Sequence, residues 1–179
     1  MPSVLAILAP GFEEIEAVAP VDLLRRAGAD VTLASLTPDP NVRGRSGIGV
    51  HADASLAACL DRTYDCLFLP GGPGVKELRA DARVRDLALR QASRKAWIAA
   101  ICAAPTVLHD AGLLEGKRYT AHPSVAGELT RIIADERVVV DGRLITSRGA
   151  GTALDFGLEL VSRLFSPEKS ASIANSIVF

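Results

Sequence analysis

The sequence predicts an α/β fold: a doubly wound, mostly parallel sheet with helices on both faces and one small β-hairpin. Three observations carry that expectation. Short apolar runs alternate with helix-patterned segments along most of the chain. One run, Trp97-Ile98-Ala99-Ala100-Ile101, is apolar throughout, as a strand buried on both faces must be. Several runs end in glycines or reactive side chains, and parallel strands of an open sheet bring such ends to one edge.

Taken in order, the first strand is Val4–Ala9 and the first helix Glu13–Ala27, stopped by Gly28 after the cations Arg25 and Arg26. A second strand, Asp30–Leu36, leads through Pro38–Asn41 and Arg43–Gly47 to a short extended piece, Ile48–Ala52. Helix Ser55–Leu60, strand Tyr64–Leu69 and helix Asp81–Ser93 follow, then the central strand Trp97–Ile101. The next helix, Ala104–Ala111, has Pro105 in its first turn, where a missing N–H costs nothing, and Gly112 as its stop. Tyr119-Thr120-Ala121 reads as another strand of the same sheet. Val138–Ile145 is two short strands around Asp141-Gly142, a strong hairpin signal. A closing helix spans Ala153–Leu164, with Thr152 as its cap and Asp155 completing a capping box. No repeat or linker divides the chain, so residues 1–179 form one domain.

Composition narrows the function. Apolar residues make up 49% and charged residues 23%, a globular balance. The net charge of −1 and the lack of a basic cluster argue against a nucleic-acid partner. The opening Val4–Ala9 is too short for a membrane span and has no basic stretch before it, so no signal peptide and no membrane association are expected. Cys59, Cys66 and Cys102 make neither a disulfide framework nor a zinc spacing. A reducing cytoplasm is the expected compartment.

The chemistry gathers at strand ends. Cys102 follows the central strand directly and precedes small residues and Pro105, so it occupies a strand-to-helix turn like a nucleophile elbow. A helix beginning beyond it would aim free N–H groups at the sulfur and favour thiolate. Free cysteine is often only a small buried hydrophobe, which is the reading given to Cys59 and Cys66. Glu13, Glu14 and Glu16 follow the first strand. The first two suit the positive end of a helix, whereas Glu16 shares an apolar face with Phe12, Ala19, Pro20 and Leu23 and so points at the sheet. Pro20 is expected to kink that helix. Gly71 and Gly72 end the third strand, where glycine lets backbone N–H groups approach a ligand. Pro123 forces His122 to be extended, projecting it from the end of Tyr119–Ala121.

With these pieces assembled, the sequence resembles the ThiJ/PfpI superfamily, and within it the Parkinsonism-associated deglycase branch. The matching stretches are Gly11–Glu16, Pro20-Val21-Asp22, Arg25–Gly28, Asp53–Leu56, Leu69–Gly72, Ala99–Pro105, His122-Pro123 and Thr146–Gly149, spread over nearly the whole chain. The resemblance implies a flavodoxin-like domain of the class I glutamine amidotransferase type and a homodimer with Asp53–Leu56 and the preceding extended piece, Ile48–Ala52, near its interface. It also implies a reactive Cys102 hydrogen-bonded to a protonated Glu16. Members are described as glutathione-independent glyoxalases acting on methylglyoxal, as deglycases and as oxidative-stress chaperones. The peptidase branch has histidine directly after the cysteine, where this chain has Ala103, which disfavours a peptidase. A relative in the branch carries an extra C-terminal helix that this chain, ending soon after Ser176, is expected to lack. Arg45 is the candidate for an arginine that frames the pocket in some relatives.

These readings lead to one expected chemistry and one rival. Cys102 adds to a small carbonyl substrate, Gly72 and Ala103 hold the oxyanion with Gly71 beside them, and Glu16 with His122 moves the proton. Neither a metal nor an organic cofactor is required. The rival is a redox sensor or chaperone that uses an oxidisable Cys102.

Overall fold

The computed structural model describes residues 1–179. Its core is a seven-stranded sheet in the order β5-β2-β1-β6-β7-β9-β8. These strands are β1 (Ser3–Leu8), β2 (Asp30–Ser35), β5 (Ala54–Ser55), β6 (Cys66–Leu69), β7 (Trp97–Ile101), β8 (Val138–Asp141) and β9 (Leu144–Ser147). All neighbours are parallel except β8 and β9, which pair antiparallel with Asp141 opposite Leu144. The predicted Asp141-Gly142 turn thus closes a real hairpin, and its second strand is also a full neighbour of β7, with Ile98 opposite Leu144. A separate two-stranded ribbon joins β3 (Asn41–Arg43) to β4 (Gly49–His51), where the sequence suggested only an extended piece.

Alternating strand residues feed two apolar layers, because successive side chains leave a strand on opposite faces. Val4, Ala6, Phe68, Ala99 and Ile101 pack with α1 (Glu14–Ala27), α6 (Ala153–Leu164) and α7 (Pro167–Ser176). Leu5, Ile7, Leu67, Ile98 and Ala100 pack with α2 (Leu56–Cys59), α3 (Val75–Ala80), α4 (Ala82–Ser93) and α5 (Pro105–Asp110). The strand order reverses between β1 and β6, so a crevice opens beyond the carboxyl ends of those two strands, the usual ligand position in such sheets.

Three local expectations need correction. Tyr119–Ala121 is not a sheet strand: only Tyr119 forms a bridge, to Ile132, and the Thr120 N–H donates to the Thr146 hydroxyl at 2.9 Å instead of to a neighbouring main chain. Thr152 precedes α6, but its hydroxyl turns back to Gly149 at 2.9 Å, while Asp155 pairs with Arg137 at 2.8 Å. The chain does carry a further helix after the closing one. Ser166 accepts from the Lys169 N–H, Pro167 takes the first turn, and α7 packs Ile173 into the core beside α6.

Candidate active site

Three strand ends converge at the crevice. After β1, Glu13 caps α1 by accepting the Glu16 N–H at 2.8 Å, which fixes the first turn and turns the Glu16 side chain inward. Only 1% of Glu16 is exposed. After β6, the Gly71 carbonyl accepts the Glu13 N–H at 3.0 Å, and the Gly71 N–H donates to Glu16 Oε2 at 3.1 Å. After β7, Cys102 holds φ at +65°, a left-handed conformation that only a tight turn imposes on a non-glycine residue. Its N–H donates to the Ser147 carbonyl and its carbonyl accepts the His122 N–H, both at 2.9 Å.

The glycines are there because nothing larger fits. A methyl group on Gly71 would strike the Glu16 carboxylate, Cβ of Cys102 and the Ile101 carbonyl. Gly72 has φ +94°, and a side chain there would meet the Glu13 N and Gly11 O within 2.7 Å. Gly149, whose motif the sequence reading quoted without a role, lines the same space. A Cβ on it would lie 3.3 Å from the His122 ring and 3.6 Å from Glu16 Oε1.

Electrostatics couple the acid and the sulfur. Burial pushes the Glu16 carboxyl up to about 7, against the hydrogen bond to Cys102 and the amides of Gly71 and Ala150, and the charge of Glu13 adds to the rise. Burial, then the charge and hydrogen bond of Glu16, push the Cys102 thiol up to about 12, while the amides of Gly72 and Ala103 pull it back. The amides at the turn favour thiolate, as the sequence leads one to expect, while desolvation beside a second acid opposes them. Across the interval between those values the pair holds one proton in common.

The remaining candidates fall into place around this pair. His122 is exposed, and its Nδ1 is taken by the Ser124 hydroxyl at 2.8 Å and the Ser124 N–H at 3.2 Å, which leaves Nε2 as the free ring nitrogen. Arg45 docks only by its backbone, donating to the Phe12 carbonyl at 2.8 Å, and its side chain is exposed. Cys59 and Cys66 are buried, and burial raises Cys66 further still, so Cys102 alone among the cysteines is partly open. Sequence reasoning missed Glu14 as an anchor. It is buried, and its Oε1 accepts the Ser46 and Ile48 N–H groups at 2.8 and 3.4 Å, which ties the β3–β4 loop to α1. Its only signal was a third carboxylate in one helical turn. No group of three or more His, Cys, Asp or Glu side chains is gathered as metal ligands would be.

Known proteins resemble this chain over nearly its whole length. The profile of the DJ-1/PfpI family matches residues 2–163. Protein dj-1beta of Drosophila melanogaster is 41% identical over 98% of this chain and 96% of its own length. The glutathione-independent glyoxalase DJR-1.2 of Caenorhabditis elegans is 36% identical over 96% of this chain and 93% of its own. The solved structure of oxidized Toxoplasma gondii DJ-1 superposes with a TM-score of 0.95 at 36% identity, covering 100% of this chain and 99% of that one.

Proposed function

Since the chain belongs to the DJ-1/PfpI family, we propose that it is a cysteine-dependent, glutathione-independent glyoxalase converting methylglyoxal-type 2-oxoaldehydes to 2-hydroxy acids. The observation that carries this reading is a buried carboxyl beside the one partly open cysteine, with Glu16 Oε2 and Cβ of Cys102 both crowding Gly71. A base for carbon-bound protons and a sulfur nucleophile are what the isomerisation needs, and both stand at the sheet's switch point.

The steps balance without an outside oxidant. The Cys102 sulfur bonds to the aldehyde carbon, and its proton ends on the former carbonyl oxygen, giving a hemithioacetal. The N–H groups of Gly72 and Ala103, which flank the sulfur, stabilise the oxyanion as it forms, a contribution of about 3 kcal/mol per donor. Glu16 removes the proton from that carbon and, through an enediol, returns one to the neighbouring carbon, with the free nitrogen of His122 as a relay at the mouth. The first carbon is oxidised and the second reduced by the same two electrons. Water then cleaves the thioester to the 2-hydroxy acid and restores the thiol. Hydrolysis of a hemithioaminal formed from a glycated amine uses the same groups, so deglycase activity belongs to the same proposal.

The test is lactate formation from methylglyoxal by purified protein with no added thiol. Wild type should turn over, with activity rising as the pair loses its first proton near pH 7. Cys102→Ser should abolish turnover, and Cys59→Ser should keep most of it. A second reading, a redox sensor, draws on one observation: Cys102 is the only cysteine an oxidant can reach. Absence of lactate, with peroxide adding two oxygens selectively at Cys102, would favour it.

A further inference from the structure

The edge of the sheet opposite Cys102 holds a second concavity. Strands β6, β7 and β9 run parallel and begin there, about 16 Å from Cys102 along β7. A cavity of about 540 Å3 opens among Asp65, Trp97 and Arg143, the residues at those three strand starts. Arg94 and Lys95, from the turn after α4, and Arg163, from the last turn of α6, also line it. Four cations thus share the cavity with one carboxylate. Asp65 accepts the N–H and the hydroxyl of Ser3 at 2.8 and 3.0 Å, and Arg163 is paired with Glu159 at 2.7 Å. Arg94, Lys95 and Arg143 form no ion pair with any acid of the chain. The Arg143 guanidinium is instead held 4.7 Å over the centre of the Trp97 ring, which lines the same cavity. Unpaired cations gathered round one cavity repel one another, and an anion bound among them relieves that repulsion.

We propose that this cavity binds an oligophosphate chain, either inorganic or carried as the tail of a nucleotide. Each guanidinium presents a planar fork that matches two phosphoryl oxygens, and Lys95 adds a compact point charge. The unpaired cations stand on two elements, the turn between α4 and β7 and the start of β9, so a ligand with two or more phosphoryl groups can engage both at once. The cavity is no part of the Cys102 crevice, and the proposal stands whether or not the chain is a glyoxalase.

Pyrophosphate, ADP, phosphate, citrate and an oligothymidylate are the probes, followed by calorimetry at low salt and by emission of Trp97, the chain's one tryptophan. Pyrophosphate should bind saturably, one per chain, and change the emission, because it takes hold of the guanidinium stacked on the indole. Phosphate, with a single phosphoryl group, and citrate, with carboxylates in their place, should each bind about tenfold more weakly or worse. ADP binding at least as tightly as pyrophosphate identifies a nucleotide tail, and weaker ADP binding identifies the inorganic chain. Lys95 has φ +54°, so Lys95→Gly removes a cation while suiting the backbone better. Combined with Arg143→Gln, it should weaken pyrophosphate by about tenfold or more. If that pair fails to fold, Arg94→Gln, at an exposed position, should still weaken it by about threefold. Arg131→Gln removes an exposed, unpaired cation outside the cavity and should leave binding unchanged, as should Cys102→Ser. No saturable pyrophosphate binding, phosphate or citrate binding as tightly, or unchanged affinity in the cavity variants would each overturn the proposal. So would an equal loss in Arg131→Gln, loss of binding in Cys102→Ser, or an oligothymidylate that binds more tightly than pyrophosphate.

Discussion

At the scale of single residues, Glu16 carries a cost that pH exposes. Its carboxyl is raised from 4.5 in the unfolded chain to about 7 in the fold, chiefly by burial. A group with a raised folded value binds its proton more tightly in the native state. Stability from this residue is therefore fully present below pH 4.5 and is lost as pH rises through 7. The interval corresponds to about 3 kcal/mol at about 1.4 kcal/mol per unit. Glu16→Gln, which stays neutral, should unfold at a higher temperature than wild type at pH 8, and the gain should vanish at pH 4. A gain that is the same at both values would show that Glu16 is not desolvated. The inward turn of Glu16 was legible, because Phe12, Ala19, Pro20 and Leu23 leave it the lone acid on an apolar face. The acidity of Cys102 was not, because it depends on Gly71, Gly72 and Glu16, which the fold brings in from far along the chain. Sequence shows the short helix beyond the sulfur, but not the burial that opposes it.

At the scale of elements, the packing of α1 on α6 turns on Gly157. A Cβ there would come within 2.7 Å of a Leu23 methyl and 2.9 Å of the Pro20 backbone. The methyl can swing aside, but the backbone cannot move without the helix. Gly157→Ala should therefore destabilise by about 1–3 kcal/mol despite alanine's better helix propensity. Thermal unfolding measures it, and a rise in Tm would refute the close contact. Elements with strong periodicity and clear stops, such as α1, α4 and β7, stand in the sequence almost to the residue. Two helices did not. The short α3 begins in the glycine run after β6, which reads as a turn, and α7, Pro167–Ser176, is mostly polar and buries only Ile173. Tyr119–Ala121 misled because its pattern suits a strand, while the Thr146 hydroxyl takes the Thr120 N–H that a ladder would need.

At the scale of the whole molecule, one face is left incomplete. Ile15, Val18 and Ile48 are each at least half exposed, and with Leu154 and Ile177 they line a single depression beside α1. An apolar surface of this kind calls for a partner, and a second copy of the chain is the one that the resemblance implies. Within the Asp53–Leu56 segment, Leu56 is fully buried and Asp53 is held by Arg25 at 2.8 Å, whereas Ile48 of the preceding extended piece is exposed, so the expected dimer contact is placed on α1 and that piece. Light scattering at micromolar concentration should give a dimer mass for wild type and a monomer mass for Val18→Glu. An equal mass for both would move the interface elsewhere. The strand order has a further consequence, for the chain while it is being made. Strand β7 is buried along its full length, yet one of its two neighbours, β9, lies far behind it in the order of synthesis. At about 5–20 residues per second, the ribosome needs several seconds to pass from Ile101 to Ser147. Through that delay the growing polypeptide offers a wholly apolar strand with one edge unpaired, and any chaperone that attends its birth has that strand to hold.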